Sequence, residues 1–283
     1  MRFYIIIPAH NEAKFLAQTL QSLTAQTLLP KKLVIVNDNS TDGTQKIIDD
    51  FSARFPFISS VQKKSDAVHE PGSKVINAFK KGFATLDSDF DIICKFDADL
   101  LFPPNYLEVI SALFQNDATV GIAGGFCYIE KNGQWVLENL TNKNHVRGAL
   151  KAYRKQCFDS IGGLRTAMGW DTVDELLAQF HGWTVKTDEA LHVKHLKPTG
   201  ASYSRQARYK QGEAFYKLRY GFWLTLVAAA KLAHRKNSIA FFIDCLRGFV
   251  RAWQDNAPAM VSAEEGVFIR RLRWKGIKEK VLG

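Results

Sequence analysis

Two aspartates separated by a single residue, Asp97 and Asp99, follow the apolar run Ile92–Phe96, and their type and spacing suggest chemistry more clearly than any others. Carboxylates this close repel each other unless a positive charge compensates them. Hard oxygen ligands of this kind suit Mg²⁺ or Mn²⁺, which also bind phosphate oxygens. Because D-x-D is short and also occurs as a solvated turn, the triplet by itself leaves both interpretations open.

A second polar segment follows the β-branched run Leu33–Asn37. At the end of this run, Asp38 can accept a hydrogen bond from the N–H of a nucleotide base such as uracil. The residues after it also suit an Asx or Ser/Thr turn that caps a helix. We expect both: Ser40 and Asp42 form the turn, with Ser40 or Thr41 as the N-cap, and Asp38 faces a ligand.

A third polar segment, Pro8–Glu12, follows the first apolar run, Phe3–Ile7. Pro8 ends a predicted strand, and the polar residues after it begin a helix, where free backbone N–H groups favour an anion. The alternative is that Asn11 or Glu12 only caps this helix.

Each of these runs precedes a loop and then a stretch with helical spacing, such as Phe15, Leu16, Leu20 and Leu23 after the first. Strands that alternate with helices predict βαβ units and a mainly parallel sheet. In such sheets, ligands bind beyond the carboxyl ends of the strands. We therefore expect the three polar segments to meet at one edge of the sheet.

Taken together, the segments Pro8–Glu12, Asn37–Thr44 and Phe96–Asp99 resemble the family 2 glycosyltransferases, and the resemblance covers roughly residues 1–200. It implies the GT-A fold, an α/β architecture with a Rossmann-like, mainly parallel sheet flanked by helices. It also implies an inverting transfer of a sugar from a UDP, GDP or dTDP donor to a hydroxyl group. Asn37 stands where the family usually has an acid, so we expect its role to be structural.

By this resemblance the nucleotide sugar is bound by a set of residues from the first hundred positions: Pro8, Ala9, His10, Asn11, Glu12, Asp38, Lys74, Asn77, Asp97 and Ala98. Asp97 faces the ribose, and Asp99 ligates the Mg²⁺ or Mn²⁺ ion. His195 is a second candidate metal ligand, which alternation along a strand places on the face opposite to His192. The alternative for His195 is a packed histidine without a ligand role.

An inverting enzyme of this family also needs a carboxylate that deprotonates the acceptor hydroxyl. The acidic segment Gly169–Leu176 resembles the family's segment for this base, and the spacing back from Gly182 favours Asp171 over Asp174. The alternative is that Asp171 caps a helix while Asp174 and Glu175 complement its dipole.

The net charge of +10 is unevenly distributed along the chain. Residues 1–199 contain 22 basic and 22 acidic side chains, whereas residues 200–283 contain 16 basic and 6 acidic ones together with many aromatics. Basic, aromatic amphipathic helices are typical of proteins that lie on an anionic membrane. We expect such contact here, with packing on the catalytic domain or on a partner subunit of a homo-oligomer as the alternative. No motif supports binding of nucleic acid.

Four widely spaced cysteines without a C-x-x-C pair argue against a zinc site or a disulfide framework and favour the cytoplasm. No apolar run reaches the roughly 18 residues of a spanning helix, and the first run is too short for a signal peptide. We therefore expect a protein that lies peripherally on the cytoplasmic face of the membrane. The expected acceptor is lipid-linked or a polysaccharide, in cell-envelope glycan synthesis.

The expected organisation is a catalytic domain over residues 1–200 followed by a helical extension over 201–283. Within the first, residues 1–100 bind the nucleotide sugar and 101–200 supply the acceptor side and the base. One alternative function, a nucleotidyltransferase acting on sugar phosphates, would need a glycine-rich basic loop after the first strand, and Pro8–Glu12 is not one. The other, a non-catalytic membrane-binding module, would leave the three acidic motifs unexplained.

Overall fold

The computed structural model describes residues 1–64, 73–138, 143–197 and 205–282. Within the last range it describes the side chains of residues 208–279. The chain forms two compact units. The α/β unit comprises Met1–Thr166 and Trp170–Thr199, and the helical unit comprises Ala167–Gly169 and Gly200–Gly283.

The α/β unit is built on one sheet, whose strands are β1 (Phe3–Ala9), β2 (Lys32–Asp38), β3 (Ile58–Lys63), β4 (Ile92–Phe96), β5 (Leu100–Leu101), β6 (Val120–Lys131), β7 (Gln134–Leu137), β8 (Leu150–Arg154) and β9 (Thr184–His195). Their order is β3-β2-β1-β4-β8-β6-β9-β5, and β7 pairs with β6. Strands β1 to β4 pair in parallel, as do β6 and β9, whereas β8 runs antiparallel to both β4 and β6. The predicted α/β architecture is confirmed, and the sheet is mixed beyond β4.

Continuous apolar runs form the central strands because both faces of the sheet are covered. The side chains of β4 are all buried, and so is nearly all of β1. By contrast, β3 is an edge strand in which only Ile58 is fully buried, so its sequence carries a weak signal and we did not predict it. Strand β8 was also missed, because Lys151 interrupts its apolar pattern.

Six helices accompany the described strands of this unit: α1 (Leu16–Thr24), α2 (Thr44–Arg54), α3 (Ser73–Phe83), α4 (Tyr106–Asn116), α5 (Lys155–Ser160) and α6 (Trp170–Phe180). The N-cap predicted for α2 is wrong. The cap position is Gly43 rather than Ser40 or Thr41. This shift occurs because Asp42 Oδ1 accepts the backbone N–H of Thr44 at 3.0 Å, which satisfies a free amide at the start of the helix.

The helical unit contains α7 (Arg205–Lys217), α8 (Gly221–Arg235), α9 (Ile239–Gln254) and α10 (Ala263–Leu282). Helices α7 and α9 touch backbone to backbone through two glycines. A Cβ on Gly212 would lie 1.7 Å from Cys245 O, and one on Gly248 would lie 2.1 Å from Tyr209 O. Across the described ranges, no helix has the length and apolarity that a membrane crossing would need.

The close contact of α7 and α9 predicts that Gly212→Ala destabilises the helical unit. The added methyl group cannot fit without moving backbone atoms, so we expect a loss of about 2 kcal/mol or more in chemical denaturation. Gly276→Ala is the matched control, because it lies within α10 and a Cβ there meets no atom within 4 Å. Its better helix propensity should leave stability equal or about 0.5–1 kcal/mol higher. Equal effects of the two substitutions would contradict the packing described for Gly212.

Candidate active site

The carboxyl ends of β1, β2 and β4 bring the three polar segments together. Strand β1 lies between the other two and pairs in parallel with both, so the three strands end at the same edge of the sheet. A cavity of about 610 Å³ opens there. Its lining residues are Pro8, Ala9, His10, Glu12, Asp38, Asn39, Thr41, Lys74, Val75, Ala78, Asp97, Ala98 and Asp99.

Most of the residues expected to bind the nucleotide sugar line this cavity, but Asn11 and Asn77 do not. Asn11 has a left-handed backbone (φ 54°), and its Oδ1 accepts the N–H of Thr41 at 2.8 Å. The side chain of Asn11 therefore ties the loop after β1 to the loop after β2. Asn77 is exposed on α3, where its Oδ1 accepts a hydrogen bond from Thr166 Oγ1 at 3.3 Å.

Asp38 and Asn37 at the end of β2 have different surroundings. Asp38 lines the cavity, and Lys63 Nζ lies 3.3 Å from its Oδ2. The buried Asn37 donates from Nδ2 to Gln45 Oε1 at 2.6 Å and accepts the N–H of Ser40 at 3.1 Å. Asn37 thus shapes the loop, while Asp38 is the residue at this strand end that meets the cavity.

Asp97 lines the cavity and forms an ion pair with Lys95, a lysine inside β4 that is only 2% exposed. The ring centroid of Trp170, the first residue of α6, lies 5.4 Å from Lys95 Nζ. Sequence analysis missed Lys95. The signal for it is a cation in the middle of an apolar strand, because a buried lysine needs a partner.

Asp99 carries an unsatisfied buried oxygen. Its Oδ2 lies 3.5 Å from His195 Nε2, whereas Oδ1 is buried and accepts no hydrogen bond from any described residue. Behind the imidazole, Glu138 Oε2 lies 2.8 Å from Nδ1, and Arg147 pairs with Glu138 in turn. Burial lowers the pKa of His195, but the carboxylates of Asp99 and Glu138 outweigh this effect and raise it above its ordinary value.

The surroundings of Asp99 and His195 fit a divalent cation. A carboxylate behind the far nitrogen of a histidine is the usual way in which proteins orient a metal-binding imidazole. Glu12 adds a second buried oxygen without a described partner, Oε2, and burial raises the pKa of its carboxyl. Within residues 1–64, 73–138, 143–197 and 205–282, no group of three or more His, Cys, Asp or Glu side chains is placed to hold a metal ion. Mg²⁺ and Mn²⁺ do not need one, since they commonly keep water and substrate phosphate ligands.

On the other side of β4, helix α6 presents the two candidate bases in different states. Asp174 is 2% exposed, lies 2.7 Å from Lys151 Nζ and accepts the Tyr153 hydroxyl. Burial raises the pKa of Asp174, although Lys151 opposes this effect. The Asp171 side chain is 32% exposed, and His145 Nε2 lies 3.7 Å from its Oδ2. Asp171 is therefore the accessible carboxylate of the two.

His145 and Lys151 keep the Asp171 carboxyl ionised. Burial raises the pKa of Asp171, but the nearby positive charges of His145 and Lys151 prevail and hold it at about 2. His145 also contacts Glu175, with Nδ1 2.8 Å from Oε2. These two carboxylates outweigh burial, which lowers the pKa of His145, and raise it to about 9. Sequence analysis missed His145, because nothing in its local pattern marks it.

This arrangement predicts that Lys151→Met strongly destabilises the fold, since the substitution leaves Asp174 buried without its cation. Breaking a buried pair in this way costs about 3–5 kcal/mol, measurable by urea denaturation at neutral pH. The control is Lys143→Met, which removes an exposed pair with Glu189 and should cost at most about 1 kcal/mol. Similar losses in the two variants would contradict the buried network.

Comparison with known proteins gives the family. The model for glycosyl transferase family 2 matches residues 4–167. The probable glycosyltransferase YdaM of Bacillus subtilis is 38% identical over 207 residues, which is 64% of this chain and 45% of YdaM. An uncharacterized glycosyltransferase of Nostoc is 27% identical, over 58% of this chain and 50% of its own length. The chain thus spans about half the length of these curated relatives.

Solved structures show the same fold at low sequence identity. S. aureus TarS 1–349 in complex with UDP-GlcNAc is 17% identical with a TM-score of 0.62, covering 99% of this chain and 92% of the TarS 1–349 chain. The mannosyltransferase PcManGT from Pyrobaculum calidifontis, in complex with GDP-Man and Mn²⁺, is 14% identical with a TM-score of 0.54, covering 98% and 80%. The predicted GT-A type fold is confirmed. With its three strand-end motifs inside the matched region, this chain belongs to glycosyl transferase family 2.

Proposed function

We propose that this protein is a metal-dependent, inverting glycosyltransferase that moves a sugar from a nucleotide diphosphate to a hydroxyl group. The observation that carries the proposal is the carboxylate of Asp99, whose Oδ2 lies 3.5 Å from His195 Nε2 while its buried Oδ1 has no described partner, beside a cavity that Asp38 and Asp97 also line. UDP-GlcNAc in TarS and GDP-Man with Mn²⁺ in PcManGT support this class of donor and cation.

In this proposal each cavity residue has a separate task. Asp38 accepts a hydrogen bond from the base, Asp97 faces the ribose, and Lys74 lies beside the diphosphate. Asp99 and His195 would hold Mg²⁺ or Mn²⁺, which would supply positive charge to the leaving diphosphate. Glu138 keeps the imidazole of His195 turned toward Asp99.

Asp171 is the base that we propose, because it is ionised and accessible whereas Asp174 is buried in an ion pair. It takes the proton of the acceptor hydroxyl while that oxygen attacks the anomeric carbon. The bond from this carbon to the diphosphate oxygen breaks, and the bonding electrons leave with the nucleotide diphosphate. His145 orients the Asp171 carboxylate from the side.

The acceptor that we propose is lipid-linked or a polysaccharide, in the synthesis of cell-envelope glycans. The uneven charge of the chain supports it, since the excess of 10 basic residues lies entirely in residues 200–283. Such a segment suits contact with an anionic membrane surface on the cytoplasmic side. An enzyme held there would meet membrane-bound acceptors.

The metal proposal predicts that Asp99→Asn lowers transfer or hydrolysis of nucleotide sugars by at least about 100-fold, the loss expected when charge stabilisation of the leaving group is removed. A panel of UDP-, GDP- and dTDP-sugars with Mn²⁺ or Mg²⁺ identifies the donor. Thermal shift with the matching nucleotide diphosphate should show stabilisation that needs the metal ion in the wild type and is lost in the variant. Asp159→Asn, on the exposed side of α5, is the control. Full activity of Asp99→Asn in EDTA would refute the metal role.

The base assignment predicts different effects for the two aspartates of α6. Asp171→Asn should lower the transfer rate by roughly 10²–10⁴-fold while nucleotide binding stays near that of the wild type. Asp174→Asn should instead lower the free energy of unfolding, because it disturbs the pair with Lys151. If Asp171→Asn transfers sugar at a rate within tenfold of the wild type, Asp171 is not the base.

A further inference from the structure

The helical unit contains an apolar cavity of about 760 Å³. It is lined by the end of α7, the start of α8, the last turns of α9 and the segment after it, including Tyr216, Phe222, Phe249, Val250, Trp253 and Pro258. Its size and lining resemble those of pockets that bury small apolar ligands. None of the chemistry described for the α/β unit uses it.

One polar side chain of note lines this cavity, Arg219, which itself has a left-handed backbone (φ 54°). Its Nε donates to Val261 O at 3.0 Å. Arg219 is exposed, and no described residue accepts a hydrogen bond from its terminal nitrogens, so these N–H groups are open to solvent or to an anionic ligand. The cavity therefore combines an apolar wall with a cation, which suits an amphiphile that has a negative head.

An exposed apolar stripe on α9 continues from the cavity. Ile239, Ile243, Val250 and Trp253 recur at helical spacing on one face, with exposures of 79%, 42%, 38% and 63%. Val250 and Trp253 belong to both the stripe and the cavity wall. Monomeric soluble proteins rarely leave such a contiguous apolar face in water, so the stripe is expected to have a partner.

The charges beside the stripe indicate what the partner is. Arg247 and Arg251 are exposed on α9, with 60% and 81% of their side chains accessible. Their acidic neighbours are distant for ion pairs: Asp244 lies 3.9 Å from Arg247, and Asp255 lies 3.6 Å from Arg251. A symmetric, antiparallel contact of α9 with a second copy would place this basic flank against itself, which costs energy. An anionic bilayer offers the opposite charge together with an apolar interior, and tryptophan favours its interface.

We propose that this cavity binds a hydrocarbon chain of an anionic membrane phospholipid. The hydrocarbon chain of the lipid lies against Phe249, Val250 and Trp253, and the lipid phosphate lies near Arg219. The exposed apolar stripe of α9 enters the interface region of the bilayer. This proposal specifies how the membrane contact of the proposed function is made, and its biological role rests on that proposed function. The binding itself can be tested apart from catalysis.

The first experiment is flotation of the full-length protein with vesicles of phosphatidylcholine alone or mixed with phosphatidylglycerol. Ile243→Glu combined with Trp253→Glu removes apolar contact and should lower partitioning about tenfold or more. Leu29→Glu is the matched control, because Leu29 is 51% exposed in the α/β unit, and it should bind like the wild type. Arg219→Gln should weaken binding several-fold on the anionic vesicles and not on phosphatidylcholine.

A second variant tests whether the cavity itself is occupied. Ala257→Phe fills cavity space without changing charge and should lower partitioning about fivefold or more at an unchanged melting temperature. If Ala257→Phe partitions onto the vesicles as well as the wild type does, the cavity does not bind a lipid hydrocarbon chain. The proposal would also be overturned if the wild-type protein did not bind anionic vesicles. A wild-type dimer, detected by light scattering and dissociated by Trp253→Glu, would likewise overturn it.

The outcome is separable from that of the proposed function. Hydrolysis of the nucleotide sugar in solution should be the same in all of these variants and in the wild type, because the changes lie outside the donor site. Lost vesicle binding with intact hydrolysis supports the lipid site. Intact vesicle binding in a protein that acts on no nucleotide sugar would instead refute only the enzymatic proposal.

Discussion

Two buried lysines lie opposite each other in the sheet, Lys95 on β4 and Lys151 on β8, and the surrounding structure has to compensate their charges. Like charges paired directly across two strands repel, and burial removes the water that would screen them. The compensation comes from different elements on the two sides. Asp97 pairs with Lys95 at the cavity beyond the strand ends, whereas Asp174 and Glu175 of α6 pair with Lys151. The ring of Trp170 lies 5.4 and 6.0 Å from the two ammonium groups.

These ion pairs connect the cavity at the strand ends to helix α6 through a short chain of charges. Lys151 anchors the first turn of α6 by holding Asp174 and the backbone carbonyl of Asp171. The Asp171 side chain is thereby left at the surface of the site, next to His145. The buried Lys151 needs a negative charge, and Asp174 supplies it. Asp174 is therefore buried, while Asp171 in the same segment stays accessible. A carboxylate also supports a histidine in this unit, since Glu138 Oε2 lies 2.8 Å from His195 Nδ1.

The helical unit follows another rule. Helices α7 and α9 gain their contact from Gly212 and Gly248, which allow the backbones to approach, and an ion pair between Arg208 and Asp244 at 2.9 Å reinforces it. The remaining apolar surface of α9 is not all used for this packing, since Trp253 stays 63% exposed. Exposed aromatics beside basic side chains are costly in water and favourable at a lipid surface. The stability of this unit and its surface chemistry are therefore set by different residues of the same helices.

The sequence by itself determined the alternation of strands and helices, the three polar segments at strand ends and the concentration of charge after residue 200, because all of these are local patterns. It also marked Asp38, Asp97 and Asp99, since a strand end positions the residue that follows it. Only the tertiary structure decided that Asp174 is buried while Asp171 is accessible, and that Lys95 and Lys151 face each other. It alone brought Glu138 and His145 into the site and formed the cavity of the helical unit. These features depend on the register and packing of elements far apart in the chain, which no local pattern encodes.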